Sequence, residues 1–367
     1  MSKRIKILFV SFGTKIAPAT RYRVYQILPF LKDYGFDYYV YSIISEKMTM
    51  RTINSPNYNK SRKLSHYTHI MIERFTRSWK AVYLAGKFDI IFLQRTTFLF
   101  KMDWLLRVRN QNIIFDIDDS IYMSDKKEPG LIGWVKNYLK KKETVSVLKI
   151  SKYVIVENNH IKKFAQNYCD RVSIVTGPID IQRNFPKNQG IDISKEIIIG
   201  WIGSPSTAAY LKIFAGALKE LSGRWPIKLR LIGVDSYDID GVKTEMVKWG
   251  EATEIAELHK FDIGIMPMPD DEWTRGKVGC KMLQYMANAI PAVVSYTPTN
   301  AEVIENGVNG ILVKDHHGCV EAIESLIKDP ALARKIGLAG RKTVEKRYSL
   351  EAALPKFINI FKGSIIT

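Results

Sequence analysis

The sequence predicts an α/β protein of two domains, each with a parallel, doubly wound sheet. Short runs rich in Val, Ile and Phe alternate with helical patterns along the chain, which is typical of parallel sheets. The 367 residues, 46% of them hydrophobic, are enough for two separate cores. A polar segment with Pro and Gly but no clear period, Thr176 to Glu196, predicts the linker between them.

Strands are predicted at regular intervals before and after that linker. The first half contains "IKILFVSF", "DYYVYSII", "DIIFLQR", "NIIFDIDD", "KYVIVEN" and "VSIVTG". The second half contains "EIIIGWIG", "IKLRLIG", "FDIGIMP", "PAVVS" and "GILV". Near the end of the chain, Asp329-Pro330 predicts one helix start and Ser349 predicts another, because these are preferred capping and first-turn residues.

The positive charge is concentrated in the first half of the chain. The net charge is +18, and residues 1–183 hold 32 Lys and Arg against 15 Asp and Glu, whereas residues 184–367 hold 23 against 22. The first half should therefore attract an anionic partner such as phospholipid, nucleic acid or a phosphorylated substrate. We find no zinc spacing, aromatic RNA-binding motif or helix-turn-helix pattern, which argues against a nucleic-acid binder.

The cysteine and hydropathy patterns predict a protein of a reducing compartment without a membrane span. The three cysteines, Cys169, Cys280 and Cys319, are far apart and lack metal spacing, as expected in a reducing cytoplasm. No segment has the roughly 18–20 apolar residues that a membrane span needs. The basic and then apolar opening is interpreted as a first strand and not as a signal peptide.

Two basic segments carry interleaved aromatic side chains: residues 46–87 and 130–148. One interpretation is two ordinary amphipathic helices on a basic domain. The other is a surface that lays apolar residues and lysines on an anionic membrane leaflet.

Candidate binding residues follow the predicted strands, because ligands of open α/β sheets lie beyond the carboxyl ends of the strands. Arg21 and Arg23 are predicted at a helix start after the first strand, where a phosphate would be favoured. Gly203 and Ser204 end the strand "EIIIGWIG" and open a helix, an arrangement that suits a phosphate or sugar, although a helix cap explains it equally well.

An acidic cluster follows the strand "NIIFDIDD". Asp116, Asp118 and Asp119 could hold a divalent metal, raise one another's pKa for acid/base work, or cap the next helix. We favour a role toward a substrate hydroxyl or in acid/base chemistry over metal binding, and we expect no metal site.

The stretch "WTRGKVGCKMLQYMANAIPAVVS" runs from a charged loop into a helical pattern and then a strand. Lys277, Lys281 and Gln284 are predicted on one helical face near the helix start. Two ammonium groups one turn apart could converge on one anion, and a carboxamide can bond hydroxyls as donor and acceptor. The alternative is a solvated helix face.

The phrases "GWIGSPST", "DIGIMPMPDDEW", "GKVGCKMLQYMA", "PAVVS" and "NGILV" occur in an order that resembles the bacterial family 4 glycosyltransferases. "FLQR" and "FDIDDSIY" resemble a subgroup of surface-polysaccharide pathways. The resemblance implies a GT-B fold, with two facing Rossmann-like domains and a C-terminal helix that crosses back to the first. We assign residues 1–180 with helix 350–367 to an acceptor-binding domain, and 181–349 to a nucleotide-sugar-binding domain.

The resemblance also implies roles for individual residues. Lys277 and Lys281 would counter the donor diphosphate, Gln284 would reach the ribose, and Asp118 and Asp119 would handle the acceptor. Catalysis would retain the anomeric configuration and need no metal or other cofactor. The nucleotide is left open, with UDP a candidate. The remaining positions assigned to the donor are Arg21, Arg23, Gly203, Ser204, Asp271, Glu272, Gly276, Asn300 and Glu302.

The sequence departs from the family pattern of two glutamates separated by seven residues. Gly276 stands at the first position and Gln284 at the second. Asp271 or Glu272 is a candidate replacement for the first glutamate, and a glutamate at position 284 should be tolerated. The family's Arg/Lys pair near "GWIG" is also missing.

The expected function is sugar transfer from a nucleotide diphosphate sugar to a lipid-linked or polysaccharide acceptor in surface glycan synthesis. The protein would be cytoplasmic and peripherally bound to the inner face of the plasma membrane. Two alternatives remain open: a catalytically degenerate GT-B partner subunit, suggested by the missing glutamates, and a sugar-nucleotide epimerase of the same fold.

Overall fold

The structure is a computed structural model that describes residues 4–54, 59–123, 130–188 and 190–365. The chain divides into two compact units. The first unit comprises residues 1–178 and 353–367, and the second comprises residues 179–352. The structure thus divides at 178–179, where the sequence analysis had placed the domain boundary at 180–181.

The first unit is built on a six-stranded parallel sheet, with strand order β2-β1-β3-β4-β5-β6 over the described residues. All six predicted strands of this half are present. Their bounds are β1 Ile5–Ser11, β2 Phe36–Ser42, β3 Ile90–Gln94, β4 Ile113–Ile117, β5 Tyr153–Val156 and β6 Val172–Ile174.

Short helices connect the strands near the beginning of the chain, and longer helices cover one sheet face. Their bounds are α1 Pro18–Thr20, α2 Leu28–Leu31, α3 Glu46–Asn54, α4 Lys60–Ala85, α5 Met102–Arg109, α6 Gly130–Ile150 and α7 Asn159–Ala165. A π-helical turn, Arg21–Tyr25, follows α1, and a 3-10 turn, Lys32–Tyr34, follows α2. The inner sides of α4, α5 and α6 share one hydrophobic cluster with the sheet.

The second unit is built on another six-stranded parallel sheet, with order β12-β11-β10-β7-β8-β9 over the described residues. Five of its strands were predicted. The sixth strand, β9, has the sequence KTEMV. It was not predicted, because the charged residues typical of an edge strand replace the apolar run. The bounds are β7 Ile197–Ile202, β8 Ile227–Ile232, β9 Lys243–Val247, β10 Ile263–Met266, β11 Ala292–Ser295 and β12 Ile311–Val313.

Helices flank this sheet and position the carboxyl ends of its strands. Their bounds are α8 Pro205–Ala208, α9 Lys212–Ser222, α10 Glu254–Leu258, α11 Glu272–Arg275, α12 Cys280–Ala287, α13 His316–Lys328 and α14 Pro330–Arg347, with 3-10 turns at Ala209–Leu211 and Asn300–Glu302. The predicted start of α14 is confirmed, because the Asp329 carboxylate accepts a hydrogen bond from the backbone N–H of Leu332 at 2.9 Å.

The last helix, α15 (Leu350–Ile365), belongs to the first unit from Ala353 onward, as the sequence analysis expected. Ser349 caps it by accepting a hydrogen bond from the backbone N–H of Ala352 at 3.1 Å. The ring of Phe361 lies 5.8 Å from that of Phe92 and 6.2 Å from that of Phe9. The helix therefore covers the sheet face that carries these phenylalanines. Among the described helices, none has both the length and the apolar character needed to span a membrane.

Candidate functional site

In the second unit, two glycines leave bare backbone at the carboxyl ends of β7 and β8. A Cβ placed on Gly203 would lie 2.5 Å from the Trp201 ring and 2.7 Å from Lys281 Cε. Gly233 has φ +94°, and a Cβ there would meet the carbonyl oxygen of Gly203. Side chains are therefore excluded from both positions, and the neighbours of Gly203 approach it closely.

Lys281 lies over this strand end. Its Nζ donates a hydrogen bond to Thr207 Oγ1 at 2.9 Å and sits 4.4 Å from the centre of the Trp201 ring. Burial, and to a smaller extent the positive charge of Lys277, lowers the pKa of Lys281 to about 7. An ammonium group held this way, with little water around it, is suited to an anionic ligand.

Lys277 is not part of the helix, and this part of the prediction is wrong. Helix α12 begins at Cys280, because Gly276 ends α11 and residues 277–279 form no regular secondary structure. Lys277 instead places its Nζ 4.7 Å from the centre of the Trp273 ring. It nevertheless lies close enough to Lys281 to lower that residue's pKa, so the two cations still share one region.

Gln284 is buried one turn into α12. Its Nε2 donates to Glu254 Oε1 at 3.1 Å, and the same oxygen accepts from Trp249 Nε1 at 3.0 Å. Arg183 Nη2 lies 3.3 Å from Glu254 Oε2. Glu254 is not predicted from the sequence, because the fold alone brings this carboxylate to Gln284, 30 residues away.

Asp271 was a candidate replacement for the missing first glutamate, but its carboxylate caps α11. It accepts from the backbone N–H of Thr274 at 2.8 Å, while its own N–H donates to Thr274 Oγ1 at 3.0 Å. Glu272 is exposed and pairs with Arg275 at 3.5 Å. Gly276 is the C-cap of α11 and has no side chain to offer.

Other predicted donor residues lie at neighbouring strand ends. Ser204 is the N-cap of α8, and its hydroxyl is 2.9 Å from that of Ser206. Asn300 is buried after β11 and donates its Nδ2 to the carbonyl oxygen of Ser295 at 2.9 Å. Glu302 lies in the same 3-10 turn, and its carbonyl oxygen accepts from Arg347 at 3.2 Å. Their roles toward a donor remain predictions.

In the first unit, Arg23 is structural, which corrects its assignment to a phosphate. Its guanidinium is 1% exposed, forms a two-pronged ion pair with Asp116, and donates to the carbonyl oxygens of Val175 and Gly177 at 2.6 and 2.8 Å. Burial is the largest single effect and opposes this charge, but the surrounding carboxylates, Asp116 first and then Glu157 and Asp118, together raise the pKa of Arg23. Its donors are thus committed within the fold, where a ligand cannot use them.

Arg21 is also buried, inside the π-helical turn, with its guanidinium 5.3 Å from the centre of the Tyr22 ring. Helix formation begins at Pro18, upstream of the predicted start near Thr20. A phosphate contact by Arg21 remains a prediction.

Asp118 and Asp119 both face Arg95, at the carboxyl ends of β4 and β3. Arg95 Nε lies 3.3 Å from Asp118 Oδ1, and its Nη2 lies 3.2 Å from Asp119 Oδ2. Arg95 has φ +52°, a left-handed conformation that non-glycine residues rarely adopt and that often marks a functional site. Burial raises the pKa of Asp118, against the opposing charge of Arg95.

Glu157, directly after β5, completes this cluster and was not singled out from the sequence. Its carboxylate lies 3.6 Å from Arg23 Nη1 and is nearly inaccessible to solvent. Burial holds the pKa of Glu157 well above its ordinary value. Among the described residues, no group of three or more His, Cys, Asp or Glu is arranged to hold a metal ion.

The outer sides of α4, α5 and α6, together with Phe100 in the loop just before α5, carry exposed aromatic residues, which we call the aromatic surface. Phe75 packs edge-to-face on Phe100 at 5.8 Å, and Lys136 Nζ lies 5.7 Å from the centre of the Tyr67 ring, so the helices contribute jointly. Phe100 is 81% exposed and Trp134 is 64% exposed. The members are Tyr67, Phe75, Trp79, Phe100, Trp104, Trp134 and Tyr138. Residues 55–58 of the predicted basic segment lie outside the described residues.

Comparison with known proteins gives a family match for the Lys281 region. Residues 196–329 match the family described as Glycosyl transferases group 1. We refer to this part of the chain, which is similar to that family, as the group 1 domain. It contains Gly203, Glu254, Lys281 and Gln284.

Relatives of this chain include two curated proteins. EpsD of Bacillus subtilis (strain 168), named as a candidate glycosyltransferase, is 34% identical over 126 residues, covering 34% of this chain and 32% of EpsD. Poly(ribitol-phosphate) alpha-N-acetylglucosaminyltransferase of Staphylococcus aureus (strain COL) is 30% identical over 90 residues, covering 23% of this chain and 18% of that protein. The chain thus spans about a third or less of the curated relatives it matches.

The whole fold has solved counterparts. The Anabaena protein HepE, in complex with UDP and glucose, has a TM-score of 0.69 at 12% identity, over 98% of this chain and 100% of HepE. The fold class predicted from the sequence, an α/β protein of GT-B type with two parallel sheets, is therefore confirmed.

Proposed function

We propose that the protein is a glycosyltransferase that moves a sugar from a nucleotide diphosphate sugar to a lipid-linked or polysaccharide acceptor, with retention, in bacterial surface glycan synthesis. The group 1 domain and the names of EpsD and the Staphylococcus aureus enzyme support the reaction class. The observation that carries the proposal is Lys281, a half-buried ammonium group that lies over the bare backbone of Gly203 and is held there by Thr207.

The donor diphosphate would bind at Lys281, with Lys277 as a second cation. As the bond between the sugar C1 and the diphosphate oxygen breaks, its electron pair goes to that oxygen, and negative charge on the leaving group grows. A fixed ammonium group therefore stabilises the transition state more than the bound donor. The structure of HepE with UDP makes uridine a reasonable first nucleotide to test.

The acceptor would use the first unit. Its hydroxyl oxygen forms the new bond to C1 on the face from which the diphosphate departs, so that the configuration is retained, and its proton must be taken up. Asp118 and Asp119 are carboxylates oriented by Arg95, so one of them can accept a hydrogen bond from that hydroxyl and receive its proton. In this scheme the lysines balance the diphosphate charge, so we propose that no metal ion is needed and that EDTA leaves the activity unchanged.

A panel of nucleotide-sugars tests the proposal. We expect one of them to raise the Tm of the protein and, with an acceptor, to be consumed with release of its nucleoside diphosphate. Interconversion of the sugar without an acceptor would indicate an epimerase. Binding without turnover would indicate a degenerate partner subunit, and activity lost with EDTA and restored by Mn²⁺ would overturn the metal-free mechanism.

We also propose that the first unit binds the anionic inner face of the plasma membrane through the aromatic surface. Exposed rings such as Phe100 and Trp134 can insert at the level of the lipid headgroups, while lysines of α4 and α6 attract anionic lipids. The net positive charge of the first half favours the same partner. This position would bring the protein to a lipid-linked acceptor.

Vesicle binding tests the membrane proposal. The protein should bind vesicles containing phosphatidylglycerol better than pure phosphatidylcholine vesicles, and less well as salt rises, because surface charges are screened within about 10 Å at 0.1 M salt. Phe100→Ser and Trp134→Ser should weaken binding. Leu338→Ser, at an exposed apolar residue of the second unit, is the control. Equal binding to both vesicle types at low salt would contradict the proposal that the protein binds anionic membranes.

A further inference from the structure

One buried carboxylate gathers donors from three separate parts of the second unit. Glu254, the first residue of α10, has a side chain only 5% exposed. Its Oε1 accepts from Gln284 Nε2 of α12 at 3.1 Å and from Trp249 Nε1, just after β9, at 3.0 Å. Arg183, which precedes β7, lies 3.3 Å from Oε2 and compensates the charge.

This arrangement fixes the orientation of the Gln284 carboxamide. An ionised carboxylate can only accept hydrogen bonds, so Gln284 must point its amide nitrogen at Glu254. The oxygen of the Gln284 carboxamide then points away from Glu254. The same carboxylate oxygen also restrains the Trp249 indole, so a polar group and an aromatic ring are held together.

The surroundings suit a ligand with a flat ring and hydroxyl groups. Trp249 Cβ lies 3.6 Å from where a Cβ of Gly233 would be, beside the bare backbone of Gly203 and Gly233. Lys281, one helical turn before Gln284, lies against Gly203, with its Cε 2.7 Å from where a Cβ of Gly203 would be. A nucleoside diphosphate has this chemistry: a base that can stack on an indole, a ribose, and an anionic end.

We propose that Glu254 is a positioning residue for the nucleoside part of the donor, which it serves by fixing Gln284 and Trp249 as one recognition unit. The inference rests on the proposed donor function and deepens it. It also explains why glutamine stands at position 284: a glutamate there would place two carboxylates against each other in a buried site. The structure thus predicts the opposite of the tolerance expected from the family pattern.

Exchanging Glu254 and Gln284 tests whether their hydrogen bond positions the nucleoside site. Gln284→Glu, Glu254→Gln and the double variant are compared with the wild type by calorimetric binding of two probes. One probe is whichever of UDP, GDP and ADP the wild type binds most tightly, and the other is inorganic pyrophosphate. Arg183 keeps a second partner, Glu251, at 3.3 Å in the Glu254→Gln variant.

Gln284→Glu should weaken nucleoside diphosphate binding by roughly tenfold or more. Glu254→Gln should cost less, because two amides can still bond, and the double variant should recover most of the affinity by reversing donor and acceptor. Pyrophosphate, which needs only Lys281 and Lys277, should bind all four proteins equally. A purely structural defect would lower both affinities together.

Trp249→Phe provides a second variant should Gln284→Glu fail to fold, because it keeps an aromatic ring and removes the N–H bonded to Glu254 together with the pyrrole part of the indole. It should weaken nucleoside diphosphate binding several-fold at unchanged pyrophosphate affinity. A wild type that binds neither probe overturns the proposed donor function and this inference together. A wild type that binds both, with unchanged affinity in Gln284→Glu or Trp249→Phe, overturns the positioning role alone.

Discussion

At the residue scale, Lys281 is a group whose charge depends on whether an anion is present. Its pKa is about 7 in the free protein, because burial and Lys277 disfavour the ammonium form. A bound diphosphate favours that form and raises the pKa. The binding contribution of this charge is therefore complete below pH 7 and is lost as pH rises from 7 toward the pKa of the complex.

We predict that nucleoside diphosphate affinity falls with rising pH above about 7 in the wild type but not in Lys281→Arg, because a guanidinium stays charged throughout this range. Calorimetric Kd values from about pH 7 to 9 check this. A wild type whose affinity is flat with pH while Lys281→Met binds as tightly would show that this lysine does not contact the diphosphate.

Arg23 should be a stability residue. Arg23→Met leaves Asp116 and Glu157 buried without their cation and should cost about 3–5 kcal/mol in the free energy of unfolding. Arg4→Met breaks an exposed pair with Asp37 at 3.3 Å and should cost about 1 kcal/mol or less. Urea denaturation of both variants checks the contrast, and equal effects would contradict the structural role.

Asp118 should act in turnover more than in donor binding. Asp118→Asn keeps the shape but removes the proton acceptor, so kcat should fall by about 10²-fold with the donor KM little changed. Steady-state rates with donor and acceptor varied separately measure this. A raised donor KM with normal kcat would place Asp118 at the donor instead.

At the scale of elements, the hydrophobic strands could be predicted from the sequence. A polar edge strand and the exact start of a helix could not. β1 and β7 contain continuous apolar runs, Ile7–Val10 and Ile197–Ile202, that are almost entirely buried, a pattern that can be recognised directly in the sequence. β9 alternates charged residues at a sheet edge and was missed. The start of α12 was placed too early, because a helical spacing of Lys277 and Lys281 does not reveal that Gly279 interrupts the helix.

Helix α15 should be required for the stability of the first unit. Phe361 is fully buried among Phe9, Phe36 and Phe92, so Phe361→Ala should destabilise this unit by about 3–5 kcal/mol. Lys362→Ala, at an exposed position of the same helix, should change stability by about 0.5 kcal/mol or less. Denaturation curves that do not distinguish the variants would show that the helix contributes little packing energy.

At the scale of the whole molecule, the sequence predicted the fold and part of the site. Gly203, Lys281 and Gln284 stand out because each follows a strand end or a helical pattern. Arg95, Glu157 and Glu254 do not, because their significance arises from partners distant in the sequence: Asp118, Arg23 and Gln284. Spacing along the chain reports such contacts only where one element contains both residues.

In the proposed mechanism, a nucleoside diphosphate leaves the sugar while it is held by Lys281. The most direct measurement is nucleoside diphosphate release from a nucleotide-sugar panel, with acceptor-containing membranes, by wild type and Lys281→Met. We predict that the wild type consumes one nucleotide-sugar and that the variant has a kcat lower by about 10²–10³-fold. If the wild type consumes none of the nucleotide-sugars, or if both proteins react at equal rates, then Lys281 does not hold the leaving diphosphate.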